Sequence, residues 1–411
     1  MRPSLECIGY KVRILDWVFG LVVVLCLSTY YWAAIWGIGI SLSAFIFALG
    51  LVVIVLWKEA MDPFVGHLGY LAYPIILTVL VYALDTYHAE KDLVYFKTIM
   101  QYISSYCLAA ILYAAMRSDT SRQNGIALAT SVFSLLMIVV LVVELLGVKW
   151  GLSQTALFTD YAEYYQGLSR TITLLGLVVM TVFHEKSYIV SSVVLVFTSV
   201  LTISFISFGA MFGMLISFGL YVKATAAGGV IRSVLKAALL IACVLVVFIA
   251  IQNYIDALVN RFYLKLDVAD YEQSRISLSL LGVSLWWNDI MSFLFGPGPM
   301  NYAVKATGGG YYRHPHNVIS LLLVWYGVMG LPIIYILFSS MWRCLSLMAS
   351  STNFRLLLSL IFVNQLVLSF IGGDIEQNRV LITMAYLFLF ARDINLGDFR
   401  EQTTPSSMRT S

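Results

Sequence analysis

The chain has 411 residues, of which 60% are apolar and only 11% charged, with a formal net charge of +3. Soluble chains carry about 25% charged residues, so this composition excludes an ordinary soluble protein. The small positive charge also excludes a nucleic-acid-binding protein.

The apolar residues are spread along most of the length, which points to a single integral membrane domain over residues 1–411. A helix needs roughly 20 apolar residues to cross a hydrocarbon core of about 30 Å. Runs of that order centre near residues 22, 46, 75, 107, 136, 176, 196, 215, 245, 328, 364 and 386. They predict an all-α polytopic membrane protein of about 12 transmembrane helices. The first run, in "VRILDWVFGLVVVLCLSTYYWAA", follows a basic flank as a signal peptide does. Further runs follow at once, so it reads as a retained helix. The five cysteines (Cys7, Cys26, Cys107, Cys243, Cys344) are scattered, with no metal-ligand spacing, and no disulfide framework is expected.

An even number of spans puts both termini on one side. With the termini in the cytoplasm, the segments "AMRSDTSRQNG", "YVKATAAGGVIRSVLK" and "MWRCLSLMASSTNFR" are internal, and Lys and Arg exceed Asp and Glu there. That is what the positive-inside rule expects. One long outer loop remains, residues 256–316, between the ninth and tenth spans. In a chain of short connectors, a single long loop is where function concentrates.

Within that loop, "YEQSRISLSLLGVSLWWNDI" sets Ile276, Leu280, Val283 and Trp287 at helical spacing. This predicts an amphipathic helix near 271–290 at the membrane interface, with Trp286 and Trp287 as anchors. Arg275 opens it, where an arginine and free backbone N–H groups can face one phosphate. "FGPGPMNY" then reads as a turn cluster. Five arginines on the outer side run against the inside bias: Arg170, Arg261, Arg275, Arg313 and Arg379. A guanidinium fork suits phosphate oxygens. The plainer alternative pairs these arginines with Asp267, Asp270, Glu272, Asp374 and Glu376, or has them snorkel to lipid phosphates.

The loop ends in "GGGYYRHPHNVISLLLVWYGVMG". His314 and His316 face one way in an extended chain, and three readings stand. They are a solvated pair, or metal ligands, or a catalytic or substrate-orienting imidazole, whose ordinary pKa suits proton transfer near neutral pH. A zinc site needs further ligands, and His67, His88 and His184 are remote in sequence. No metal is expected. Gly327 and Gly330 follow farther down the same helix, where a neighbouring helix can approach closely.

His316-Asn317, nine residues, Gly327, two residues and Gly330 together resemble the bacterial O-antigen ligase and polymerase superfamily. The similarity covers roughly residues 165–340 and includes Ser274-Arg275 and the Gly296-x-Gly298 turn. Members work on undecaprenyl-pyrophosphate-linked glycans at the outer face of the inner membrane. The resemblance implies His316 as the essential histidine and Arg275 as the loop arginine that contacts pyrophosphate. Arg170, Arg313, His314, Asn317 and Arg379 become candidates for holding pyrophosphate or glycan. One element departs: Phe208, in "TISFISFGAMFG", stands where members usually carry a span arginine; either Arg170 or Arg379 replaces it, which is the expectation, or the activity is altered or lost.

The implied activity is polymerisation of a surface polysaccharide without nucleotide, metal or other cofactor, from an undecaprenyl-pyrophosphate-linked oligosaccharide to a lipid-linked repeat unit. Ligation of the glycan to lipid A core is the alternative. A flippase or transporter is a third reading, disfavoured because the spans are nearly free of charge and no repeat is visible. The resemblance also implies a chain-length regulator and a separate flippase as partners.

Overall fold

The computed structural model describes residues 4–7, 10–28, 39–85, 91–151, 165–183, 193–194, 197–199, 202, 208–225, 275–307, 315, 317–348, 353–371 and 378–393. Apart from one small hairpin, these residues are predominantly helical. In that hairpin β1 (Ser4–Cys7) pairs antiparallel with β2 (Tyr10–Arg13), setting Leu5 opposite Val12 and Glu6 opposite Lys11. The helical class expected from the sequence holds, with this hairpin as a small addition among the described residues.

The helices are α1 (Ile14–Leu27), α2 (Gly39–Leu56), α3 (Lys58–Gly66), α4 (Leu68–Leu84), α5 (Lys91–Arg117), α6 (Thr120–Gly151), α7 (Tyr165–Phe183) and α8 (Phe208–Thr225). Then come α9 (Arg275–Trp286), α10 (Ile290–Phe295), α11 (Pro299–Thr307), α12 (Val318–Tyr326), α13 (Leu331–Met348), α14 (Asn353–Ile371) and α15 (Arg379–Phe390). Helices thus stand at the expected positions near 22, 46, 75, 107, 136, 176, 215, 328, 364 and 386. The runs near 196 and 245 lie largely or wholly outside the described residues.

Among the described residues, Lys91–Arg117, Thr120–Leu141 and Val318–Met348 are long and apolar enough to cross a membrane. Ala44–Val55 and Lys58–Gly66 make a fourth if the pair, bent by 110°, is one span. The remaining apolar helices are shorter; α15, with 12 residues, is only about 18 Å long.

α5 is the axis of the bundle. Its 27 residues extend about 40 Å, and it packs against α2, α3, α4 and α15. At its C-terminal end Arg355 Nη2 donates to the Met116 carbonyl at 3.1 Å, which brings the start of α14 beside the α5–α6 turn. Arg343 of α13 donates to the Ala391 carbonyl at 3.0 and 3.2 Å at the close of α15. Asp16 of α1 lies 3.6 Å from Arg122 Nε, and the Arg122 guanidinium sits 3.9 Å from the Trp57 ring centre. Arg117, Arg122, Arg343 and Arg355 therefore gather at one end of the bundle. The opposite end, where α5 begins, holds the segments that follow.

Candidate functional site

Val318–Met348 is not one continuous helix. Asn317 caps its start, its side-chain oxygen accepting from the Ile319 and Ser320 amides at 2.8 and 3.4 Å. The Asn317 expected to bind substrate thus has its acceptor occupied by the helix it opens. At Gly327 the φ angle turns to +55° and a 3₁₀ turn (Gly327–Gly330) separates α12 from α13. The carbonyl groups around the break find partners on other elements: Gly298 N donates to Val324 O at 3.1 Å, and Tyr73 Oη donates to Met329 O.

Gly327 also meets the outer loop. A Cβ there would lie 2.5 Å from Gly296 N and from Phe293 O. Gly296, at φ +83°, is equally tight against the Val324 carbonyl. The close approach expected of the glycine pair is thus made by Gly327 alone; a Cβ on Gly330 would meet its own chain at Leu322 O and Tyr326.

The turn that follows is held by a residue that sequence reading passed over. Asp85, buried at the end of α4, accepts the Tyr95 hydroxyl at 2.8 Å and the Met300 amide at 3.3 Å. Lys91 Nζ donates to the Asp85 carbonyl. Asp85 therefore caps the first turn of α11 from a distant part of the chain. Its only sequence signal is a carboxylate closing an apolar run in "LDTYHAEKD". Farther along α11, Tyr302 Oη donates to Leu278 O of α9 at 2.8 Å.

Asp289 N-caps α10, accepting the Ser292 amide and hydroxyl, each at 2.8 Å. These hydrogen bonds favour the ionised form and hold its carboxyl below the usual aspartate range.

The arginines divide. Arg170, in α7, is 7% exposed, and its Nη2 donates to Leu368 O at 3.2 Å. α14 starts beside Met116, so Leu368 near its far end lies toward the end of the bundle where α5 begins. α8 packs on the same turn of α14: a Cβ on Gly213 would contact Asn364 and Leu368 at 3.0–3.4 Å. Phe208 opens α8. Arg379 opens α15 partway along α5, where its carbonyl accepts Ser105 Oγ at 3.4 Å. Arg275 is the first residue of α9. Arg170, the start of α9 at Arg275 and Asn317 thus lie toward one end of the bundle, while Arg379 is placed partway along α5. Arg261, Arg313, His314 and His316 lie outside the described residues.

Below Asn317 the bundle is unusually hydroxylated. Tyr326 Oη lies 2.9 Å from Thr78 Oγ1 and 3.1 Å from Tyr102 Oη, joining α12 to α4 and α5. Beside this chain is a cavity of ≈40 Å³, whose lining includes Tyr70, Tyr102, Leu321, Ile336, Asn378 and Tyr386. Among the described residues, no three His, Cys, Asp or Glu side chains are grouped to hold a metal ion. The chain matches no known family by sequence model, and no curated protein matches it.

Proposed function

We propose that this chain is an inner-membrane glycosyltransferase of bacterial surface polysaccharide (O-antigen, capsule or exopolysaccharide). It takes glycan from undecaprenyl pyrophosphate and passes it to a lipid-linked repeat unit at the periplasmic face. The observation that carries the reading is the His316-Asn317 element with its spaced glycines. It is supported by the way Gly327 clamps the turn at Gly296, which joins the outer loop to the helix that His316 precedes. On this reading the chain has about 12 spans, with both termini cytoplasmic and the loop at 256–316 periplasmic. The arginines gathered at the Arg117 end agree with that orientation.

In the transfer, an acceptor hydroxyl attacks the anomeric carbon, the bond to the pyrophosphate oxygen breaks, and the hydroxyl proton leaves. His316 aligns the hydroxyl and takes the proton; Arg275 neutralises the departing pyrophosphate. Arg170 supplies the second positive charge in place of the span arginine absent at Phe208. Arg170 and α8 meet the same turn of α14, which favours Arg170 over Arg379. Arg313 and His314 sit beside His316 as contacts to pyrophosphate or glycan. A single displacement inverts the anomeric configuration.

Ligation to lipid A core is the second reading, favoured by one observation: the His-Asn-x9-Gly-x-x-Gly spacing resembles that of ligases. Complementation of a deletion strain separates the two. With His316→Ala or Arg275→Ala, a ladder that collapses to one capped repeat unit marks a polymerase. Loss of glycan from lipid A core, with polymer retained on its carrier, marks a ligase. Full restoration by either variant sinks the assigned site.

A further inference from the structure

α9 and α12 run side by side in the same direction. Leu278 near the start of α9 is tied to Tyr302, Gly282 lies against Val324 with only 3.0 Å for a Cβ, and Phe293 of α10 reaches Gly327. The α9–α10 hairpin therefore follows α12 downward and turns level with the Gly327–Gly330 break. The turn is fixed from inside, because Trp286 stacks on Phe293 at 5.3 Å and its Nε1 donates to Phe293 O at 2.9 Å.

The turn presents three apolar side chains outward, Trp287 68% exposed, Ile290 66% and Met291 60%, beside the polar Asn288 and Asp289. Exposed apolar surface resumes at Leu331, directly after the break on which α10 packs. It continues down α13 through Tyr335, Phe338, Trp342 and Leu345, one stripe at helical spacing. Trp342, the most exposed of these at 76%, stands about 22 Å beyond Gly327 at 1.5 Å per residue. The turn and the stripe together extend over about 22 Å, a length that falls within a hydrocarbon core of about 30 Å.

We propose that the 287–291 turn is a lipid-embedded foot. Trp287, Ile290 and Met291 enter the boundary of the hydrocarbon, and α9 stands upright above them instead of lying along the surface. Asn288 and Asp289, exposed at the same turn, stay with the headgroups, since an ionised carboxylate is costly any deeper. The foot rests on reading the bundle as membrane-embedded. It adds that the outer loop is positioned by lipid as well as by the clamp at Gly327.

The test is a depth profile of the full chain in lipid nanodiscs. A spin label is placed singly by cysteine substitution at Leu280, Val283, Trp287 and Met291, with Tyr335 and Lys305 as references. The native cysteines are kept, and the signal of the labelled parent protein is subtracted. Collision with oxygen, which partitions into lipid, is compared with collision with a water-soluble nickel chelate.

The expected result is a ratio rising severalfold from Leu280 to Met291, approaching that at Tyr335, with the nickel chelate dominating at Lys305. Equal ratios along 280–291 would mean a helix lying flat, and nickel dominance at 287 and 291 a turn in water. Shielding of 287 and 291 from both reagents would mean that protein covers the turn. Each of these three overturns the foot. Nickel dominance at Tyr335 as well would overturn the membrane reading itself, so the two failures are told apart.

Discussion

Gly327 and Gly296 meet backbone to backbone, and neither tolerates a Cβ. Gly327→Ala adds a methyl group to a positive-φ residue and drives it into Phe293 O and Gly296 N. The expected cost is about 1–3 kcal/mol, read as a lower thermal unfolding midpoint of the purified protein. Gly219→Ala, in helix α8 with nothing within 4 Å of the new Cβ, should be neutral or slightly stabilising in the same assay. Asp289 adds a pH dependence. Because its folded-state pKa is lowered, the cap contributes fully above the ordinary aspartate range and is lost as pH falls through the lowered value. Hydrogen exchange at the Ser292 amide should accelerate over that fall in the parent chain; Asp289→Asn should flatten the change. Close approach at Gly327 was legible in sequence, but its partner, the turn at Gly296, and the break in the helix there were not. The hydroxyl chain was not, because Tyr326 meets Thr78 and Tyr102 across more than two hundred residues.

Among elements, Asp85 shows how a connector can govern a remote helix. Its carboxylate receives Tyr95 Oη and the Met300 amide in a buried setting, so Asp85→Ala leaves both donors without that acceptor. A loss of about 1–3 kcal/mol is expected, with faster exchange at the first amides of α11 and little change in α6. Apolar run length located most of the helices, because segments in a hydrocarbon setting must satisfy their backbone internally, which makes long apolar runs hard to read otherwise. It misjudged continuity. The break between α12 and α13 depends on a donor from Gly298 and a hydroxyl from Tyr73, and neither is visible within the run itself. The β1–β2 hairpin escaped notice for a related reason: four-residue strands carry too short an alternation to register beside a long apolar helix.

At the scale of the whole molecule, the sharpest expectation concerns sidedness. Thr120 lies at the Arg117 end and Lys305 on α11 at the other, both exposed. In intact spheroplasts a membrane-impermeant maleimide should label Lys305→Cys and spare Thr120→Cys until the membrane is opened; the reverse pattern would invert the proposed orientation. Helical class and membrane character were legible from composition alone. The site was legible only as a set of candidates, because the helix pairings that set Arg170 and the start of α9 toward the same end of the bundle are encoded by no local pattern. α5 bears on how such a chain comes to exist. It is the least apolar of the three long helices and also the most buried, since its Gln, Ser and Tyr side chains are accommodated by neighbouring helices. A translocon testing α5 by itself meets a segment of marginal affinity for lipid. Stable insertion should await α6: fused alone into a host protein with no other span, residues 91–117 should remain extractable from the membrane by alkali, and residues 91–141 should not.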